Sequence, residues 1–345
     1  MRKMGTGPQA VTPEVAAFGN RLRKNLAHWQ KWARRRGISC YRVYDRDVPQ
    51  FPFAIDRFET VLPREEVHFH VQEIDTGWRL GDDEYAQWIN AISDAISEAS
   101  GCPLERLHLK RRERKRGLAQ YEKIGAARET FVVEESGHRF EVNFDSYLDA
   151  GLFLDHRPGR ALVEKSVAIR VAAGAQVAFL NLFSYTGSFT VYAAVAGACR
   201  STTVDLSNTY QAWSARNLAL NGIDPGSHAL ERADVIAWLS QAASAGRRFD
   251  VIVLDPPSFS NSKKMQGVLD VQRDHVLMVR QCHALLAARG ELFFSTNLRS
   301  FEPDPGLLGS LGLREITHLT VPDDFKRPNR SPPHRAWRAD KDPGR

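Results

Sequence analysis

The apolar residues of the C-terminal half come in short blocks with polar breaks. Val177 to Leu182 is apolar except for Asn181, the pattern of a strand buried on both faces. A turn follows through Ser184, Tyr185, Thr186 and Gly187, and then Phe189, Val191, Ala194 and Val195 space out as a helix. The same block structure predicts strands at Ser201–Val204, His228–Arg232, Phe249–Leu254, Glu291–Thr296, Leu313–Val321 and, last, His334–Ala339. Helices are expected over Pro158–Ala173, Asp270–Ala288 and Pro305–Leu311. Strands alternating with helices predict an α/β fold on a mostly parallel sheet.

The N-terminal half has a different rhythm. Val15, Phe18, Leu22, Leu26, Trp29 and Ala33 form one face of a helix that starts at Thr12-Pro13 and ends before Gly37. Strands are expected at Cys40–Asp45, Phe53–Phe58, Glu66–Ile74 and Leu107–Lys110. A helix is expected at Asp82–Ser100, and a hairpin around Ser136-Gly137. The chain therefore divides into a disordered start (1–13), an α+β subdomain (14–148), an α/β domain (149–340) and a short tail (341–345).

The chemistry gathers at the predicted strand ends. The turn after Leu182 has one glycine before its helix, so it is not the G-x-G-x-x-G fingerprint. A cofactor without phosphates fits better, and S-adenosylmethionine is the common one. Asp205 ends the second strand roughly 20 residues after the turn, where a carboxylate accepts both ribose hydroxyls. An alternative is that Asp205 caps the next helix. Asp234 and Asp255 end two further strands, and acids in such positions line the crevice of an open α/β sheet. Asp255-Pro256-Pro257-Ser258-Phe259 leaves its strand with two prolines that cannot join a ladder. An acidic oxygen, unpaired carbonyls and an aromatic ring make a site for a flat, hydrogen-bonding base.

Charge adds a partner. Basic residues number 47 against 41 acidic, a net charge of +6, so their distribution matters more than their sum. The first helix carries Arg21, Arg23, Lys24, Lys31, Arg34, Arg35 and Arg36 opposite its apolar face. The densest run is Lys110, Arg111, Arg112, Glu113, Arg114, Lys115 and Arg116, with Tyr121 close by; Lys263 and Lys264 follow the Asp255 loop. Cations beside an aromatic ring suit RNA through phosphate pairing and base stacking, although such runs are also ordinary solvated surface. No apolar run approaches the ~20 residues of a membrane helix. The N-terminus lacks the apolar core of a secretory signal. Cys40, Cys102, Cys199 and Cys282 are scattered without a C-x-x-C pair, so no metal site is expected and a reduced, cytoplasmic setting is.

Together these segments resemble a known family. Asn20–Leu26, Tyr41–Asp45, Gly151–Arg157 (GLFLDHR), Asn181–Ser188 (NLFSYTGS), Ser201–Asp205, Asp255–Lys263 (DPPSFSNSK) and Asp270–His275 (DVQRDH) are similar to the guanine-N7 methyltransferase (K) half of the bacterial 23S ribosomal RNA large-subunit methyltransferase K/L. The likeness runs from about Val15 to Trp337. It implies a Rossmann-like class I fold: a seven-stranded, mostly parallel sheet whose last strand is antiparallel, with an N-terminal RNA-binding α+β subdomain. It implies that Asn181, Phe183, Ser184, Tyr185, Thr186, Gly187 and Ser188, with Asp205, Leu206, Asp234 and Asp255, hold S-adenosylmethionine. Phe153, Asp155 and Arg157 would fold over the cofactor, while Asp255, Pro256, Pro257 and Phe259 face the target base. The implied partner is 23S rRNA or a large-subunit assembly intermediate. A separate protein would replace the upstream half, which this sequence does not contain.

The target atom can be argued from the residues as well. Methylating C5 of a pyrimidine needs a cysteine nucleophile. Ser258, Phe259, Ser295, Thr296 and Asn297 occupy the places where one would stand. This disfavours cytosine C5, which stays an alternative, and the residues alone leave guanine N7 and N2 both open; the resemblance chooses N7. A non-catalytic RNA-binding protein that kept the fold is the reading of a different class.

Overall fold

The computed structural model describes residues 12–74, 80–112, 129–147, 149–261 and 267–341. The chain forms two compact units. The described part of the first runs to Arg112 and includes residues 129–137 and 142–150; the second takes in His138–Glu141 and Gly151 onward. The expected disordered start and the tail at 342–345 lie outside the described residues, except Thr12 and Pro13, which are helical.

The first unit contains helix α1 (Thr12–Arg36), strands β1 (Tyr41–Asp45), β2 (Phe53–Leu62) and β3 (Val67–Ile74), helix α2 (Asp82–Ser100), and strands β4 (Leu107–Arg112) and β5 (Phe131–Glu135). Its strands lie in the order β4-β3-β2-β5, with β1 beside β2. The face of α1 read from the sequence is the buried one: Phe18, Leu22 and Ala33 pack with Trp88, Ile92 and Ile96 of α2. Burying each such large side chain contributes ~1.5–3 kcal/mol. The basic face of α1 is left exposed. Strand β6 (His138–Val142) turns back after Ser136 and Gly137, both at positive φ (55° and 82°), the geometry of a tight hairpin turn.

The second unit holds helix α3 (Arg157–Ala172), β7 (Ala178–Leu182), α4 (Ser188–Val195), β8 (Arg200–Asp205), α5 (Asn208–Leu220), β9 (His228–Arg232), α6 (Val235–Ser244) and β10 (Phe249–Leu254). The short strands β11 (Phe259–Ser260) and β12 (Leu269–Asp270) follow, then α7 (Val271–Leu285), β13 (Leu286–Thr296), α8 (Pro305–Ser310), β14 (Arg314–Glu315), α9 (Thr317–Thr320) and β15 (Arg335–Asp340). Its seven-stranded sheet has the order β14-β15-β13-β10-β7-β8-β9. Strands β13, β10, β7, β8 and β9 are parallel, and β15 runs antiparallel to both neighbours, as expected.

Strand alternation explains the burial of both faces. Ile252 and Leu254 join Leu180, Met278, Cys282 and Trp337 on one side, while Val251 and Val253 join Phe179, Val163 and Val167 on the other. Strand order reverses direction between β7 and β10, so the carboxyl ends of these two strands open the crevice in which such sheets bind ligands.

Two expectations need correction. Leu313–Val321 is not one strand: β14 has two residues, and Thr317–Thr320 is a helical turn. Threonine hydroxyls favour the turn locally. Thr317 Oγ1 donates to Glu315 and accepts from the Ala336 amide, and Thr320 Oγ1 donates to the Thr317 carbonyl. The helix expected to reach Ala288 stops at Leu285, and β13 begins at once, with Arg289 at φ 61°.

Arg157 opens α3 and meets Asp324 through two contacts of 3.2 Å, both side chains being buried. Removing one partner of such a pair leaves an uncompensated buried charge, at a cost of about 3–5 kcal/mol. Asp324→Ala should therefore lower the melting temperature strongly, and Arg157→Met with Asp324→Leu should recover most of the loss. Equal melting of the single variant and the parent in calorimetry would contradict this account.

Candidate active site

The turn after β7 is built to a demanding shape. Phe183 and Tyr185 take positive φ (54° and 52°), costly for non-glycine residues, and Gly187 lies at 74°. A Cβ on Gly187 would stand 2.8 Å from Ser214 Oγ, so glycine is required there for space as well as conformation. Hydrogen bonds fix the loop from several sides. Asn181 Nδ2 donates to Thr190 Oγ1 (3.0 Å), Thr186 Oγ1 to the Gly151 carbonyl (2.7 Å), and Asn217 Nδ2 to the Thr186 carbonyl (2.8 Å). Ser188 is the first residue of α4.

Asp205 closes this loop onto the neighbouring strand. Its Oδ2 accepts from the Tyr185 amide (3.0 Å) and its Oδ1 from the Ser207 amide (2.8 Å). The helix-cap alternative does not describe it, because Ser207 caps α5 by accepting from the Tyr210 amide. Burial raises the Asp205 carboxyl to about 6, against the opposing pull of its backbone hydrogen bonds. Asp234 does cap a helix: its Oδ1 accepts from Ile236 N at 3.0 Å. The Leu206 carbonyl accepts from Arg232 Nε (3.2 Å).

Aromatic rings border the same loop. Phe153, 39% exposed, lies 4.7 Å from the Tyr185 ring, and Tyr210 meets Tyr185 edge-on at 4.7 Å. The Phe153 carbonyl is held by Arg160 Nη2 at 3.0 Å. Ser184 Oγ is buried without a hydrogen-bond partner. An orphaned hydroxyl beside a desolvated carboxylate and exposed rings fits a nucleoside-bearing cofactor, which would supply donors and a flat face.

The rest of GLFLDHR does something else. Asp155 Oδ2 is 3.1 Å from His334 Nδ1, and His334 Nε2 is 3.0 Å from Thr320 Oγ1. The Arg157 terminal nitrogens are committed to Asp324, so Arg157 ties down the segment preceding β15. Asp155, His156 and His334 bring ligand-type atoms within 4.8 Å of one another. The two imidazoles, however, stack at 4.1 Å and 16°, so their lone pairs lie in separate parallel planes and do not converge on one ion.

At the end of β10, Asp255 Oδ1 accepts from Ser295 Oγ at 2.6 Å. Pro256 is buried and Pro257 half-buried. Phe259 is 52% exposed, carried on β11 where it pairs with β12. Past the two prolines the loop is tied down, as the Val271 amide donates to the Ser258 carbonyl at 3.2 Å. Cys282 is fully buried in the core, and burial pushes its thiol up, which removes it as a nucleophile.

The basic residues divide. Arg21 is exposed beside Asp47 at 3.4 Å, and Lys24 is exposed. Lys110 is a correction: its side chain is buried, and Nζ donates to the Asp145 carbonyl. Strand alternation explains this, since Lys110 shares the face of buried His108, which also contacts Asp145. Arg111 and Arg112 extend β4 against Glu73 and Ile74. Arg114, Lys115, Arg116, Lys263 and Lys264 lie outside the described residues. Sequence reasoning missed His334, Thr320 and Asp324; no local motif marks them, because His334 and Asp324 meet Asp155 and Arg157 across 179 and 167 positions and Thr320 is held through His334.

Residues 90–334 match the model of the S-adenosylmethionine-dependent methyltransferase family, and the chain belongs to that family. It is 50% identical over 324 residues to ribosomal RNA large subunit methyltransferase K of Neisseria meningitidis serogroup B, covering 94% of this chain and 87% of that protein. It is 44% identical to ribosomal RNA large subunit methyltransferase K/L of Methylococcus capsulatus, covering 93% of this chain but 42% of that longer protein. A Streptococcus mutans protein assigned to the SAM-dependent methyltransferases has the same fold, with a TM-score of 0.71 at 23% identity over 96% of this chain and 83% of that one.

The Asp205 carboxyl yields a pH prediction. Ribose hydroxyls donate to the ionised form, so cofactor affinity should fall as pH drops through about 6. With protonation near that value, affinity at pH 5 should be about tenfold weaker than at pH 7.5. The opposite sign holds for folding. A raised carboxyl destabilises the fold only when ionised, so stability falls as pH rises from the ordinary carboxylate value of 3.8 to about 6 and changes no further above it. Calorimetric titration of the parent and of Asp205→Asn should show the pH dependence of binding only in the parent.

Proposed function

We propose that this chain methylates N7 of a guanine in large-subunit ribosomal RNA, acting in the cytoplasm on 23S rRNA or an assembly intermediate. The observation that carries this reading is the end of β10, where Asp255 accepts from Ser295 and an exposed Phe259 follows four residues on, with every cysteine of the chain elsewhere. Similarity to the K protein of Neisseria meningitidis over most of both chains supports the RNA class. S-adenosylmethionine, when bound, supplies an electrophilic methyl group on a sulfonium. Guanine N7 offers an in-plane lone pair; it forms the new N–C bond while the C–S electrons return to sulfur, and no proton needs to leave. This chain's residues then serve mainly to position and to exclude water. Phe259 offers a stacking platform for a base taken out of its helix, and Asp255 offers an acceptor. The exposed basic face of α1 and the arginines of β4 and beyond give the first unit its RNA-binding role.

Three outcomes test this. Nucleoside mass spectrometry of 23S rRNA treated with the full chain and labelled cofactor should show 7-methylguanosine; N2-methylguanosine or 5-methylcytidine would contradict the assignment. Phe259→Ala should slow transfer by about tenfold or more, since base stacking contributes ~1–3 kcal/mol, and should leave cofactor affinity unchanged. Replacing Arg111, Arg112, Arg114 and Lys115 with alanine should flatten the salt dependence of RNA binding by about one log–log unit per lost phosphate contact. An unchanged slope would assign these side chains to solvent.

A further inference from the structure

His156 has no role in the site as described so far. It ends the short 3-10 turn Leu154–His156 and is 8% exposed. Its ring packs face to face on His334 at 4.1 Å, with Phe189 edge-on at 6.0 Å. Its Nε2 lies 3.8 Å from Asp255 Oδ2 and 3.9 Å from Asp155 Oδ2, beyond hydrogen-bond reach of either. Among the described residues no donor or acceptor partners this imidazole, although the residue is largely buried. Asp255 Oδ2 also lacks a hydrogen bond, because only Oδ1 is engaged, by Ser295, but its side chain is partly exposed. A nitrogen and a carboxylate oxygen thus stand side by side at the mouth of the crevice, each lacking a hydrogen bond.

The chemistry of the pair is fixed by its surroundings. Burial lowers the His156 proton affinity, with His334 adding to the effect, so the ring is neutral and carries one N–H. Two carboxylate oxygens face Nε2, which favours the proton there. His156 Nε2 is then a donor and Asp255 Oδ2 an acceptor.

We infer that His156 and Asp255 form the specificity pair for the target base, with Nε2–H donating to a carbonyl oxygen and Oδ2 accepting from the adjacent ring N–H. Guanine presents that order at O6 and N1–H. Adenine presents the reverse, an amino group beside a bare ring nitrogen, and would leave both groups unpaired or opposed. The cytosine edge is reversed in the same way. The pair therefore selects a keto base, and Phe259 provides the surface on which its ring is stacked. His334, held by Asp155 and Thr320, is the positioning residue that sets the His156 ring plane. This inference rests on the proposed methylation of guanine in rRNA and adds what reads the base.

The test uses the full chain, S-adenosylmethionine and an unmodified 23S rRNA transcript, with His156→Phe and His156→Gln. Phenylalanine keeps the stacking and removes the donor, whereas glutamine keeps an N–H. His156→Phe should lower kcat by about tenfold or more, the scale on which a lost base contact acts, with KM for the cofactor unchanged. His156→Gln should recover a substantial part of that loss. Circular dichroism and cofactor affinity, measured on the same preparations, show that both variants are folded. With the parent protein held on S-adenosylhomocysteine, guanosine and inosine should bind about tenfold or more tightly than adenosine, and His156→Phe should narrow the gap to within about threefold. Equal activity of the parent and His156→Phe would overturn the inference. So would equal loss in the two variants, or a parent that binds adenosine as well as guanosine. A parent that transfers no methyl to rRNA, or methylates another base, would instead overturn the function on which the inference rests.

Discussion

The hydrogen bonds that Asp205 receives from Tyr185 and Ser207 hold the site together. They join the turn after β7 to the end of β8, across the two strands that form one wall of the crevice. Without them, two residues at positive φ have little reason to stay in that conformation. The same carboxylate is buried, and this raises its proton affinity and makes its ionised form expensive. The strain and the desolvation sit at one place, beside the unpartnered Ser184 hydroxyl. A nucleoside that brings hydroxyl donors relieves both, so empty and filled states of this crevice differ in free energy through the residues that recognise the ligand.

Much of the α/β unit was legible because a buried parallel strand has a conspicuous signature. Phe249–Leu254 was bounded correctly from an apolar block that stops just before Asp255, and the less buried His228–Arg232 from its place ahead of Asp234. The weakly signalled last strand also exists, and its antiparallel place between β13 and β14 completes the sheet. The segment Leu313–Val321 misled, because threonine and isoleucine read as β formers while threonine hydroxyls can also serve a turn. Lys110 misled for a related reason. Seven residues seen as one charge run give no hint that strand alternation sends one of them inward. In the site, turn and strand-end residues were readable from local spacing. The contacts of His334 with Asp155 and of Arg157 with Asp324 span 179 and 167 positions, and no pattern in the sequence announces them.

These long-range contacts give GLFLDHR a physical meaning. Leu154 and Leu152 are buried, Phe153 faces outward, and the polar residues hold the segment before β15 through Asp155 and Arg157. The motif is thereby a brace between the start and the end of the methyltransferase unit. It brings an aromatic ring and an imidazole, Phe153 and His156, within 6.4 Å of each other.

The expected place of the cofactor is beside the β7 turn and Asp205, with its reactive end toward Asp255 and Phe259. The most direct test is a crystal structure of the full chain with S-adenosylhomocysteine. Ribose hydroxyls within hydrogen-bond distance of Asp205, and the sulfur on the Asp255 side of the crevice, are the predicted result. Density for the ligand elsewhere, with Asp205 contacting only the Tyr185 and Ser207 amides, would contradict it.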